Sequence, residues 1–277
     1  MIVLVHGGTC TAHNFDVSPA NTASTAADHL SLPIVCINRP GYLDSTQIEH
    51  VPEGSTYHQT VGGQVYHEHM LPMVWERYAK PAGCTSLVLM AHSMGSMGIV
   101  VAAGLHSLEN VPKYPLSGII FSGWGHRYIT PGPKFPTTPE EELAWKQLIM
   151  CSYPEKHLVD PEIIQHIQTQ HHSMPKEDRS DLVEQSFREY WPKYAGEITV
   201  PVFFAVGEDD RFWEGSDQHI KEYEKMFPKC PRFDGSVVLG APHAIEWSYF
   251  AQGWYARCFG FAAEVAAWHG LQADGSK

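Results

Sequence analysis

The sequence predicts an α/β fold: a mostly parallel sheet of about six strands flanked by helices, with a helical insert after the fourth strand. Three observations carry this. Six short runs are apolar at nearly every position, as strands covered by helices on both faces must be. Intervals of helical length separate them, which is the alternation of a parallel sheet. Residues 125–198, between the fourth and fifth runs, are far too many for a plain strand-to-strand crossover.

The first strand is Ile2–Val5, fully apolar and stopped by His6-Gly7-Gly8. The second is 33–38 (PIVCIN), ended by Arg39-Pro40-Gly41-Tyr42. The third is 86–91 (SLVLMA), the fourth 116–121 (LSGIIF), the fifth 200–206 and the sixth 236–239. Helices fit 22–31, 59–79, 94–107, 216–227 and 246–268. Within the insert, helical patterns fall near 139–151, 160–171 and 178–190, separated by PGPKFPTTP, YPEKH and HSMPKED. The economical reading is a core of 1–124 and 199–270, a helical cap of 125–198 over the carboxyl edge of the sheet, and a flexible tail of 271–277. No internal repeat or low-complexity segment interrupts this plan.

Composition narrows the function classes. The chain has 277 residues, 19 Lys and Arg against 31 Asp and Glu, and a net charge of −12. With 43% apolar and 18% charged residues it is globular. The acidic balance argues against nucleic acid and against an anionic membrane surface as partners. No apolar stretch reaches the ~18 residues of a membrane-spanning helix. Ile2–Val5 is far too short for a signal segment, and no basic stretch precedes it, so a cytoplasmic protein is expected. The six cysteines are dispersed singly, without CxxC or zinc spacing, and read as reduced thiols. The oligomeric state is left open, a dimer among the options.

Four motifs carry chemistry. Ala91-His92-Ser93-Met94-Gly95-Ser96 follows a strand and opens a helix. A serine on such a sharp turn needs small neighbours two residues either side, here Ala91 and Gly95, and the turn exposes its hydroxyl as a nucleophile. Val5-His6-Gly7-Gly8-Thr9 follows the first strand. Bare glycine backbone there can offer an N–H to a developing oxyanion, with the Met94 N–H as the second donor. Gly8 is the preferred donor, and Thr9 the next. Gly207-Glu208-Asp209-Asp210 follows the fifth strand, and Gly240-Ala241-Pro242-His243 the sixth. His243 suits a general base for Ser93, and a carboxylate would hold its tautomer. Asp210 is preferred, with Asp209 as the alternative. The loop after the fourth strand, Ser122-Gly123-Trp124-Gly125, holds no carboxylate.

In order, context and spacing, VHGGT, RPGY, AHSMGS, AVGEDD and APHAIEW resemble the α/β-hydrolase superfamily over about 2–268. The resemblance implies the α/β-hydrolase fold, Ser93 as nucleophile, Asp210 as acid, His243 as base, and Gly8 with Met94 as oxyanion donors. Two departures stand out: Ala91 replaces the elbow's first glycine, and the chain begins at what would be the family's third strand. A serine nucleophile argues against the epoxide hydrolases and haloalkane dehalogenases of this fold, which use Asp there.

Other signals are discounted. The 17 histidines include His67-Glu68-His69 and His171-His172 with His166, but none has HExxH spacing, so no metal is expected. His92 and His6 read as structural braces, while Cys10 and His13 read equally as pocket or core. Trp124, Tyr128, Trp145, Phe212, Trp213 and Trp247 follow strand ends or belong to the insert; they are candidates, with Thr9, to line an apolar substrate pocket. The expectation is a cofactor-free serine hydrolase acting on an ester or thioester of a small apolar molecule. One alternative is a cofactor-free lyase, cyclase or decarboxylase of small-molecule biosynthesis on the same site. The other is a non-catalytic ligand receptor of the same fold.

Overall fold

A computed structural model of the chain describes residues 1–130, 134–136, 138–169, 171–273 and 275. The strands are β1 (Ile2–Val5), β2 (Asp16–Ser18), β3 (Asn21–Thr22), β4 (Ile34–Ile37), β5 (Leu87–His92), β6 (Leu116–Ser122), β7 (Val202–Asp209) and β8 (Phe233–Pro242). Six of them form one sheet in the order β4-β1-β5-β6-β7-β8, with every neighbouring pair parallel. The chain leaves β1 toward β4 on one side and returns to β5 on the other. The strand order therefore reverses at β1, and a crevice opens there at the carboxyl ends, where sheets of this type bind ligands.

Side chains alternate between the two faces of a strand. Val3, Val5, Leu89, Ala91, Phe121 and Phe204 enter the core under the helices Tyr57–Thr60 to Trp75–Ala79 and Gly95–Leu108. Ile2, Leu4, Val88, Met90, Ile120 and Phe203 enter the opposite core, under Ala23–Leu30 and Ala251–Ala273. Both sets are buried, which is why the sequence shows continuous apolar runs instead of alternation.

Several boundaries differ from the sequence reading. β8 runs three residues beyond 236–239 at each end, because it is an edge strand, half exposed and interrupted by Gly235 and Gly240, with no continuous apolar run to read. The β2–β3 hairpin is too short to leave a periodic pattern. The helix over 59–79 begins at Tyr57, where Thr56 and Gln59 form a capping box, and includes two stretches of wide i→i+5 turns. The insert helix Pro139–Cys151 matches, and Pro161–Thr169 is close to 160–171. The predicted 178–190 helix is instead two, Lys176–Val183 and Phe187–Ala195, parted at Gln185 with φ +56°. The last helix is Ala251–Ala273, since Ile245–Trp247 forms a separate 3-10 turn. Residue 170, residues 131–133 and 137 of PGPKFPTTP, and residues 274, 276 and 277 of the tail lie outside the described residues.

Gly95 shows what the elbow demands. A Cβ there would stand 2.6 Å from the His6 carbonyl oxygen and 2.7 Å from that of Val5. Both are backbone atoms that cannot swing aside. Gly95→Ala is expected to destabilise the fold by about 1–3 kcal/mol, the usual cost of overpacking. Urea unfolding followed by circular dichroism would measure it.

Candidate active site

Strand register brings the four motifs together. Val5 lies opposite Ala91 in the β1–β5 pair, so the glycine loop and the serine turn leave the sheet side by side. Asp209 lies opposite Pro242 in the β7–β8 pair, so the next residues, Asp210 and His243, emerge together. Ser93 sits at φ +51° with its N–H donated to the Ser122 carbonyl at 2.8 Å. A non-glycine residue held in that left-handed region carries strain, here on a turn that projects the hydroxyl.

His243 Nε2 is 2.9 Å from Ser93 Oγ, and His243 Nδ1 is 2.8 Å from Asp210 Oδ2. The remaining oxygen of Asp210 accepts the N–H groups of Phe212 (2.7 Å) and Trp213 (3.1 Å). Both carboxylate oxygens are thus engaged, and the acid is fixed in orientation. Asp209 faces elsewhere: its carboxylate pairs with Lys156 and its carbonyl accepts the Ser152 hydroxyl. The geometry favours Asp210 over its neighbour.

Gly8, Thr9, Ser93, Met94 and His243 line one narrow cleft. Its other walls are apolar, from Phe212 and from Trp145, Ile149, Met150, Met174 and Leu182 of the insert. Of the aromatic candidates, Trp145 and Phe212 therefore reach the serine. Trp124 does not: it is enclosed by Phe187, Trp191 and Trp213. Trp213 donates its indole N–H to the Gly123 carbonyl, and Tyr128 stacks on Trp213 at 4.4 Å. These rings leave strand ends but satisfy one another. Trp247 donates to the Asn14 carbonyl and, with Cys10, borders a neighbouring cavity, while His13 is exposed.

Three networks support the cleft. The Arg39 N–H donates to His6 Nε2, so His6 Nδ1 carries the proton and donates to the Gly7 carbonyl at 2.8 Å. Burial, with Arg39 nearby, pushes His6 down to about 3, which keeps this tautomer neutral. Beneath the row from Asp210 through His243 to Ser93, His92 packs edge-on against the His243 ring and contacts Ser122 Oγ and Glu246. The Ser122 hydroxyl and the Trp254 indole donate to Glu246 Oε1. Burial pushes His92 down to about 4. The third network fixes Thr9, a β-branched residue at φ +57°. Its carbonyl accepts from Lys146 Nζ at 2.6 Å and from the His172 N–H at 3.2 Å, both from the insert.

Sequence reasoning missed Lys146, Met174 and Glu246. Trp145, Ile149 and Met150 stand at helical spacing on one face of Pro139–Cys151, a signal that could have found the apolar wall. Among the described residues, no group of three or more His, Cys, Asp or Glu side chains gathers to hold a metal ion, and no helix is long and apolar enough to cross a membrane.

The model of the alpha/beta hydrolase family matches residues 2–257. Solved structures resemble the chain in fold. A thermophilic esterase from Thermogutta terrifontis has a TM-score of 0.60 at 16% identity, covering 96% of this chain and 90% of its own. A bromoperoxidase from Bacillus anthracis has a TM-score of 0.61 at 14% identity, covering 95% and 91%. A monoacylglycerol lipase from Paleococcus ferrophilus has a TM-score of 0.53 at 15% identity, covering 97% and 94%. No curated protein sequence matches the chain.

Proposed function

The chain belongs to the alpha/beta hydrolase family, and on that premise we propose that it is a serine hydrolase cleaving an ester or thioester of a small, largely apolar molecule. The observation that carries this reading is the continuous row from Asp210 through His243 to Ser93, with both contacts under 3 Å.

The mechanism follows from the atoms in that row. His243 Nε2 takes the proton from Ser93 Oγ as the oxygen attacks the substrate carbonyl. Asp210 holds the Nδ1–H tautomer and stabilises the imidazolium. The backbone N–H groups of Gly8 and Met94 are assigned to the tetrahedral oxyanion, a contribution of about 3–4 kcal/mol per donor. His243 then protonates the leaving alcohol or thiol, and the acyl group remains on Ser93. Water, activated by the same imidazole, releases the acid and restores the hydroxyl. The apolar walls supplied by Trp145, Ile149, Leu182 and Phe212 suit an apolar acyl or alcohol group. The fold alone does not choose the reaction.

The test is chemical. A serine-reactive phosphonate should leave one adduct, located at Ser93 by peptide mass spectrometry, and should abolish hydrolysis of short p-nitrophenyl esters. Absence of both an adduct and ester turnover would overturn the reading in favour of the lyase or receptor alternatives.

A further inference from the structure

A carboxylate that the proposed reaction does not use lies beneath His243. Glu246 is fully buried in the short turn Ile245–Trp247, three residues after the histidine. Among the described residues, no Lys or Arg nitrogen comes within 4 Å of its carboxylate. Oε1 accepts the Ser122 hydroxyl at 2.6 Å and the Trp254 indole N–H at 2.9 Å. Oε2 has no hydrogen bond and stands 3.3 Å from His92 Nδ1. The His92 ring in turn lies against the His243 ring, with 5.2 Å between centroids. A second carboxylate thus approaches the proposed base, by a route separate from Asp210.

The hydrogen bonds identify its charge. Ser122 donates its hydroxyl proton to Glu246, so the Ser122 oxygen accepts from His92 Nδ1–H at 3.1 Å. His92 is therefore the Nδ1–H tautomer with a bare Nε2, which has no partner. Burial, which pushes His92 down to about 4, keeps that ring neutral near pH 7. A proton on Glu246 Oε2 would then face an N–H with nothing to accept it, whereas an ionised carboxylate has a donor beside it. Such a charge, buried without a cation, opposes folding. One neighbouring group does become a cation: His243, each time it takes the Ser93 proton.

We infer that Glu246 is a positioning residue for the serine hydrolysis proposed above, on which this inference rests: acting through His92, it holds a second negative charge beneath His243 and favours the imidazolium. Asp210 both orients the His243 ring and stabilises its charge, while Glu246 contributes charge without touching the ring. The other polar groups around the pair are accounted for. Asp210 and Ser93 bond His243 directly. Tyr255 and Cys258 of the helix Ala251–Ala273, and Cys10 beyond the glycine loop, are raised by burial and stay neutral near pH 7. The insert brings Lys146, whose ammonium donates to the Thr9 carbonyl.

The test compares the native chain with Glu246→Gln, which keeps the shape and can still accept from Ser122 and Trp254. The acid limb of kcat/KM for p-nitrophenyl acetate reports the base of the free enzyme. Losing a negative charge makes His243 harder to protonate, so the limb should move about 0.5–1 pH unit lower. The kcat should fall about three- to tenfold with KM within about twofold, because the imidazolium forms only on the way to the transition state. A role in packing alone would lower activity without moving the limb, and that result in a folded variant would overturn the inference. Two NMR readouts need no turnover. The 15N spectra of the histidine rings should show His243 titrating about 0.5–1 pH unit lower in Glu246→Gln than in the native chain. In the native chain alone they should show His92 as the neutral Nδ1–H tautomer down to about pH 5. A His92 protonated on Nε2 instead would place the acid proton on Glu246 and overturn the inference, even if the variant fails to fold. If the native chain does not turn over p-nitrophenyl acetate, the hydrolase reading fails, while the His243 titration still decides whether Glu246 acts on that ring.

Discussion

Ser93→Ala will lower kcat for a p-nitrophenyl ester by about a million-fold while leaving the thermal midpoint nearly unchanged. The serine hydroxyl is the only group in the row that can form the acyl bond, and its removal leaves His243 with nothing to deprotonate but water. The side chain touches little else, so the fold should not notice. The carboxylates then separate cleanly. Asp210→Asn keeps the shape but offers an amide where His243 Nδ1–H needs an acceptor, and the rate should fall about ten-thousand-fold. Asp209→Asn only removes the ion pair with Lys156, at the partly exposed rim, and should change the rate by no more than about twofold. Steady-state kinetics on the three variants checks all of this. Ester turnover surviving in Ser93→Ala would sink the acyl-enzyme mechanism, and a full loss in Asp209→Asn would reassign the acid.

The convergence of Ser93, Asp210 and His243 was legible because each motif ends a strand, and parallel pairing sets strand ends side by side. Val5 opposite Ala91 and Asp209 opposite Pro242 are register facts. The order of motifs along the chain already implied their convergence. The pocket was less legible, because proximity to a strand end does not say which way a ring turns. Trp124 and Trp213 follow strands β6 and β7 yet pack against each other and Phe187. Lys146 was invisible for a different reason. A lysine inside an amphipathic helical pattern reads as solvated, and only the docked position of Pro139–Cys151 over Thr9 reveals an ammonium enclosed by protein. Arg39 and Asp178 were unreadable as a pair, because they stand 139 positions apart and an aspartate at the start of a helical pattern reads as solvated.

That pair carries the largest expected effect on stability. Asp178 is fully buried and accepts from the Arg39 guanidinium, from the Tyr42 hydroxyl at 2.5 Å and from His58 Nε2, 2.8 Å away. His58 Nδ1 meets Asp181 at 2.9 Å. Asp178→Ala strands a buried guanidinium and should cost about 3–5 kcal/mol, lowering the thermal midpoint by roughly 10 °C. Replacing both partners, as Arg39→Met with Asp178→Leu, should recover most of that, since the desolvation cost of each charge disappears with it. Burial alone would raise the Asp178 carboxyl, but Arg39, His58 and Tyr42 hold it well below the usual carboxylate range. Its contribution is therefore complete above the unfolded value of about 3.9 and is lost as pH falls below that toward the folded one. Burial lowers His58, but Asp178 and Asp181 outweigh it and leave it raised; its contribution is complete below about 6.5 and is lost as pH rises through the folded value. Urea unfolding at neutral pH and in strong acid should thus find the Asp178→Ala deficit large in the first and reduced in the second. The consequence reaches the chemistry as well. Asp178 lies on the insert helix Lys176–Val183, Arg39 follows β4, and the Arg39 N–H holds His6, which holds Gly7 beside the assigned oxyanion donor. Asp178→Ala should consequently lower kcat more than it raises KM, because a loosened glycine loop forfeits transition-state contacts before it forfeits binding. An unchanged kcat in a folded but destabilised variant would show that the network holds the insert to the sheet and nothing more.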